Sequence, residues 1–306
     1  MAEDNTESDE IILHCACCGI KEDDDIKLKR CTACYLVRYC GVKCQREHRP
    51  QHKEECNKRA AELRDEILFK QPDESSYPGD CPICCLPLSL DEQKSSMMMC
   101  CCKLICNGCM YANQKREFES LRLEEKCPFC RHPMPKSREE QKMLLMKRVE
   151  ANDPAAMTQI GSAFCQIEGD NKKAFEYLTK AARLGDPLAH YNLSIMYSAV
   201  GHGGDKYEKK VLYHSEEAAI GGHTEARHDL GCDEMRRGRL DRAVKHWTIA
   251  ANKGHDESLE ALKKCSMLGK VSKDDFASVL RAHKAAVDAT KNPQRAEGEA
   301  FYRNSN

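Results

Sequence analysis

Long apolar runs are missing from this 306-residue chain, and so is an excess of charge of either sign. No stretch approaches the roughly 18 uninterrupted apolar residues of a membrane span, so none is expected. The 48 Lys and Arg against 49 Asp and Glu leave a net charge of −1, which gives no global attraction to nucleic acid or an anionic membrane. The opening MAEDNTESDE has neither a cationic nor an apolar leader region, so a secretory signal is not expected and an intracellular protein, cytoplasmic or nuclear, is. Catalytic signatures are missing too. There is no G-x-x-x-x-G-K-[ST] loop, no G-x-G-x-x-G after a strand, no H-E-x-x-H and no G-x-S-x-G elbow, so no intrinsic catalytic site is expected.

Cysteine is what the chain has in quantity, and its placement divides the molecule. Of 21 cysteines, 18 lie at or before Cys130. In a reducing compartment, thiols at ligand spacing read as metal ligands rather than disulfides. Cys15 with Cys18 and Cys31 with Cys34 form C-x-x-C pairs; Cys40 and Cys44 follow, and His52 precedes Cys56. Seven thiols and one imidazole make two sets of four soft donors, the closed complement that structural zinc takes. Residues 81–131 repeat the theme: Cys81 and Cys84, the triplet Cys100, Cys101 and Cys102, then Cys106 and Cys109, and finally Cys127 and Cys130.

The first run resembles the MYND zinc finger, including Tyr39-Cys40, Gln45 after Cys44, and His52-Lys53. Sites interleave in that family, which implies Cys15, Cys18, Cys40 and Cys44 on one ion and Cys31, Cys34, His52 and Cys56 on the other. Arg49 stands where the family usually carries Trp, a departure at its peptide-docking surface. The second run resembles a RING finger, which implies Cys81, Cys84, Cys106 and Cys109 on one ion and Cys127 and Cys130 with two of the triplet on another. Cys100 pairs with Cys101 or with Cys102. Lys103 lies where the common pattern has a His. Cys17, Cys85 and one triplet member are left over, as alternative ligands or small buried hydrophobes. In RING ubiquitin ligases the positions of Ile83 and Arg131 touch the ubiquitin-conjugating enzyme and its ubiquitin; otherwise Ile83 packs a small core and Arg131 is solvated.

From Ser137 the pattern becomes helical, with Glu140 completing a capping-box signature. Residues 153–286 then repeat. Ile160, Leu193, Leu230 and Leu262 recur at intervals of 33, 37 and 32 residues, and paired alanines end three segments at 181–182, 218–219 and 250–251. Gly185, Gly222 and Gly254 follow those alanines as C-caps, and Asp153-Pro154 and Asp186-Pro187 open segments as N-cap and first helical residue. Gly169, the glycines of 201–204, Gly238 and Gly269 split each unit into two helices. Such periods belong to helical-hairpin solenoids. The segments Ala-Ala-Arg-Leu-Gly-Asp, Ala-Ala-Ile-Gly-Gly-His and Ala-Ala-Asn-Lys-Gly-His resemble the Sel-one-like repeat, a relative of the tetratricopeptide repeat. That resemblance implies a concave surface for a peptide or protein.

The expected fold is mostly α: two small cross-brace zinc-finger modules followed by an α/α helical-hairpin repeat solenoid. The expected divisions are a disordered acidic tail (1–13), the first finger (14–56), a helix and linker (57–80), the second finger (81–131), the repeats (137–290) and a fraying polar tail (291–306). The expected function is a zinc-binding protein–protein interaction adaptor holding four zinc ions, with a RING-type ubiquitin ligase as the alternative.

Overall fold

A computed structural model describes residues 13–71, 77–120, 125–200 and 205–303. Residues 1–12 of the expected tail at 1–13, residues 72–76 of the expected linker, residues 121–124, the glycines of 201–204 and the last three residues lie outside that set. The chain divides into two compact units, one ending at Lys70 and the other beginning at Gln71.

The first unit is built on turns that cysteine spacing dictates. Cys31 N–H donates to Val37 O at 2.8 Å and Tyr35 N–H to Cys31 O at 2.9 Å, closing a tight knuckle around the C-x-x-C pair. The flanking residues form a short antiparallel ladder, β1 (Lys29–Arg30) with β2 (Arg38–Tyr39). Helix α1 (Val42–Leu68) follows and runs for 27 residues. A helix was expected only after residue 56; it begins 15 positions earlier and carries ligand candidates on its own turns. Cys15, Leu28, Cys31, Cys34 and Tyr39 make up the buried cluster, so sulfur supplies most of this interior.

The second unit opens with another cysteine module. A hairpin of β3 (Ser95–Met98) and β4 (Lys103–Cys106) leads directly into α2 (Asn107–Glu119), with Ser95 opposite Cys106 and Met98 opposite Lys103. Cys81, Leu88, Met98, Ile105, Cys106, Cys109 and Cys127 form its core. Helix α3 (Arg138–Glu150) starts at the expected cap: Glu140 N–H donates to Ser137 Oγ at 3.1 Å. Glu140 Oε2 then accepts from Lys136 N–H at 2.7 Å, one residue earlier than a standard capping box would place it.

Four hairpins come next: α4 (Pro154–Ala163) with α5 (Asn171–Arg183), α6 (Pro187–Val200) with α7 (Asp205–Ile220), α8 (Thr224–Arg236) with α9 (Leu240–Asn252), and α10 (Asp256–Met267) with α11 (Lys273–Ala289). Each contacts the next, which is the nearest-neighbour logic of a solenoid. Ala181, Ala182, Ala218, Ala219, Ala250 and Ala251 are buried, so the paired alanines are where neighbouring helices approach. Gly185 and Gly254 adopt φ of 85° and 92°, the left-handed conformation a helix C-cap needs.

First helices are also tied across repeats by side chains. Asn192 donates to Ser162 Oγ at 3.1 Å, Tyr191 to Asp229 at 3.1 Å, and His228 pairs with Ser258 at 2.9 Å. Asp153 and Asp186 cap α4 and α6 as expected. At the matching positions of α8 and α10 the caps are histidines: His223 Nδ1 and His255 Nδ1 accept from Ala226 and Ser258 N–H, each at 3.2 Å.

Two expectations about boundaries differ from the structure. The expected polar tail of residues 291–306 contains α12 (Pro293–Arg303), which packs against α2. Its apolar content is small, but Tyr302 donates to Gln114 at 2.9 Å and the Phe301 ring lies 4.8 Å from that of Tyr111. The second finger and the repeats were also expected as separate domains, and they form one compact unit. Cys102 is the physical link: it is buried with Leu145, Ala156, Ile160, Phe164 and Ala174 of α3 to α5. No described helix is long and apolar enough to cross a membrane.

Candidate metal centres

Four knuckles of one design position the donor atoms. After the second cysteine of four C-x-x-C pairs the chain turns left-handed: Gly19, Tyr35, Cys85 and Arg131 have φ of 72°, 59°, 54° and 63°, whereas the fifth pair, Cys106 and Cys109, runs into α2. In each, the N–H of that residue returns to the carbonyl of the first cysteine, at 2.8 to 3.0 Å. Both sulfurs thereby face the same side. Cys85, left over by the ligand count, is such a turn residue and is exposed.

The structure gathers four sets of four donors, every atom of a set within 4.8 Å of the others. Cys15, Cys18, Cys40 and Cys44 form the first; Cys31, Cys34, His52 and Cys56 the second. Cys81, Cys84, Cys106 and Cys109 form the third, and Cys100, Cys101, Cys127 and Cys130 the fourth. The sets interleave along both modules. Helix α1 contributes to two of them, because Cys44 sits in its first turn while His52 and Cys56 are four apart on one face.

These sets fit a tetrahedral cation. A metal–sulfur bond of about 2.3 Å places tetrahedral sulfurs about 3.8 Å apart. Cys18 and Cys40 are 3.6 Å apart, Cys31 and Cys56 3.7 Å, Cys84 and Cys106 3.8 Å, and Cys101 and Cys127 3.9 Å. Cys34 Sγ lies 3.2 Å from His52 Nε2. Sulfurs this close cannot all ionise unaided: a hydrogen bond from Cys106 pulls Cys81 down to about 4, and the thiolate so formed pushes Cys106 up. Four thiolates this close need a positive ion between them.

The triplet is decided by the hairpin. Cys100 and Cys101 face Cys127 and Cys130, with Cys100 3.3 Å from Cys130. Cys102 has φ of 53°, which rotates its side chain off that face and into the repeat core, where burial pushes its thiol up to about 11. Of the other spare cysteines, Cys17 lies with Glu47 beside Cys44, so that small group is a fringe of the first set.

Supporting residues emerge that spacing did not mark. His48 bonds Tyr39 Oη at 3.1 Å and its ring stacks 5.7 Å from that of His52. Arg131 is ion-paired with Glu117 of α2 and donates to Asn113 Oδ1 at 2.7 Å. The Glu117 side chain is 5% exposed and also accepts from Lys126 N–H at 3.1 Å. Arg131 therefore ties the last knuckle to α2 and is not a freely solvated residue. Ile83 is 41% exposed, so it does not pack the core. Arg49 is exposed on α1.

Two interleaved cysteine modules on a chain of helical hairpins define a zinc-finger and repeat protein. Residues 15–56 match the family model of the MYND finger, and this segment is a MYND finger. The chain is similar to the crystal structure of c5321, a protective antigen of uropathogenic Escherichia coli with an SLR fold, at 19% identity and a TM-score of 0.39. That match covers 55% of this chain and 40% of the other. A Sel1 repeat protein from Oxalobacter formigenes matches at 26% identity and a TM-score of 0.35, over 40% of this chain and 96% of its own. No curated protein matches.

Proposed function

We propose that the protein is a zinc-dependent interaction adaptor, with four ions holding two finger modules and the repeats recruiting a separate protein partner. What supports zinc is the donor chemistry: each set supplies four thiol or imidazole groups and leaves no coordination position for water or substrate, the mark of a structural site. Residues Cys15, Cys18, Cys40, Cys44, Cys31, Cys34, His52 and Cys56 would hold two ions, and the eight thiols of the third and fourth sets the others. Within the first unit, Tyr35, Leu36 and Val42 are 57%, 49% and 62% exposed, an unusual outlay of apolar surface on a module with little core. That surface supports protein contact. Elemental analysis of purified protein should return about four zinc ions per chain, following the four donor sets. Leu36→Ser should keep that content and lose captured partners; equal capture by both proteins would count against this face.

Exposed Ile83 favours a second reading, a RING-type ligase in which the repeats hold substrate. It predicts autoubiquitination with a conjugating enzyme, abolished by Ile83→Ala. Silence across a broad enzyme panel removes it.

A further inference from the structure

The third donor set is completed by a residue from the far end of the chain. Arg295, in the first turn of α12, is 5% exposed. Its Nη2 donates to Cys84 Sγ at 3.2 Å and to Leu86 O at 3.0 Å, and its Nη1 to Pro87 O at 2.6 Å and Thr290 O at 2.7 Å. Beside it, Gln294 Nε2 donates to Cys109 Sγ at 3.4 Å. Two neighbouring side chains thus reach two sulfurs of one set.

The backbone is shaped for this approach. A Cβ on Gly298 would stand 2.7 Å from the Asn107 carbonyl, and one on Gly108 would stand 2.6 Å from Arg295 Cα. Two glycines therefore let α12 cross α2 nearly backbone to backbone, directly over Cys109. Asn292 holds the turn by accepting from Arg295 N–H at 2.7 Å.

Charge supplies the reason. Four thiolates around a divalent cation leave two negative charges, whereas a buried guanidinium is unfavourable without an anion beside it. Each solves the other's problem. Hydrogen bonds to coordinated sulfur also lower its electron density and its exposure to competing cations, which is the outer-shell role seen at metal sites generally.

We propose that Arg295 and Gln294 form an outer shell for the metal at Cys81, Cys84, Cys106 and Cys109, so that α12 is a working part of the second zinc module. This rests on the zinc reading above. The test uses the full chain loaded with zinc, challenged with excess chelator while release is followed by a colorimetric zinc indicator. Arg295→Ala should speed release of one ion by about 10- to 100-fold and leave the others at the wild-type rate, with Arg295→Lys intermediate. In the cobalt-substituted protein, Arg295→Ala and Gln294→Ala should each shift the sulfur-to-cobalt charge-transfer band. Should Arg295→Ala fail to fold, the Lys and Gln294 variants carry both measurements. Unchanged release, or faster release with unchanged band energies as packing alone would give, overturns the proposal. A wild-type metal content that Cys84→Ala does not lower would instead retire metal binding at this set, before Arg295 is touched.

Discussion

His223 caps α8 with a ring nitrogen, and that role holds only while the ring is neutral. Its Nδ1 accepts the Ala226 N–H, the rings of Tyr77 and Tyr191 stack at 4.9 and 4.4 Å, and burial lowers its pKa to about 4. Glu225 opposes that shift and His255 adds to it. The unfolded chain takes up a proton near pH 6.5 and the folded chain not until about pH 4, so stability falls as pH drops through that window. The loss should be on the order of 1–3 kcal/mol from this residue. Thermal melts of His223→Asn, which keeps a capping acceptor without a titrating ring, should show a shallower decline between those pH values; an identical slope would refute the assignment. Metal-set residues were legible at this scale because short spacings constrain sulfurs wherever they occur. The histidine caps were marked in the sequence as well, since Gly222-His223 and Gly254-His255 align with Gly185-Asp186, but histidine is a rare cap and capping chemistry alone favours Asp.

Between elements, the repeats depend on close approach where the first helix of a hairpin meets the second. Gly231 follows Leu230 on α8, and a Cβ there would stand 2.5 Å from Trp247 Nε1 on α9. Gly161 holds the same place on α4, where a Cβ would stand 2.8 Å from Leu178 Cγ. Gly231→Ala should destabilise the array by about 1–3 kcal/mol through overpacking. Urea unfolding followed by Trp247 fluorescence reads this locally, since the chain has one Trp; an unchanged midpoint would show that the helices yield without cost. Helix pairs were legible from leucine and alanine periods, and helix ends from Asp-Pro and Gly. The start of α1 and the existence of α12 were not. In α1 the ligand spacing of His52 and Cys56 is also a helical spacing, so one signal concealed the other. Helix α12 has no strong apolar stripe of its own and is held by glycine-mediated contact with α2.

Across the whole molecule, the second finger belongs with the repeats rather than before them. Cys102 lends a side chain to the first hairpin's core, and α12 returns from the last hairpin to cover α2. Chelation should therefore do more than loosen the cysteine modules. Hydrogen exchange should rise in residues 77–119, in α12, and in α3 and α4 at the Cys102 contact, while α8 and α9 keep their protection. Rapid exchange confined to the modules, with α12 still protected, would separate metal from the C-terminal helix. By itself the sequence marked the candidate ligand pairs, the helical period and the turn positions, because ligand spacing, amphipathic period and glycine dihedrals act over a few residues. Tertiary structure alone decided which triplet thiol turns inward, what Arg131 pairs with, and where α12 docks. Each of these joins residues with no sequence relation, and only the completed packing sets their distance.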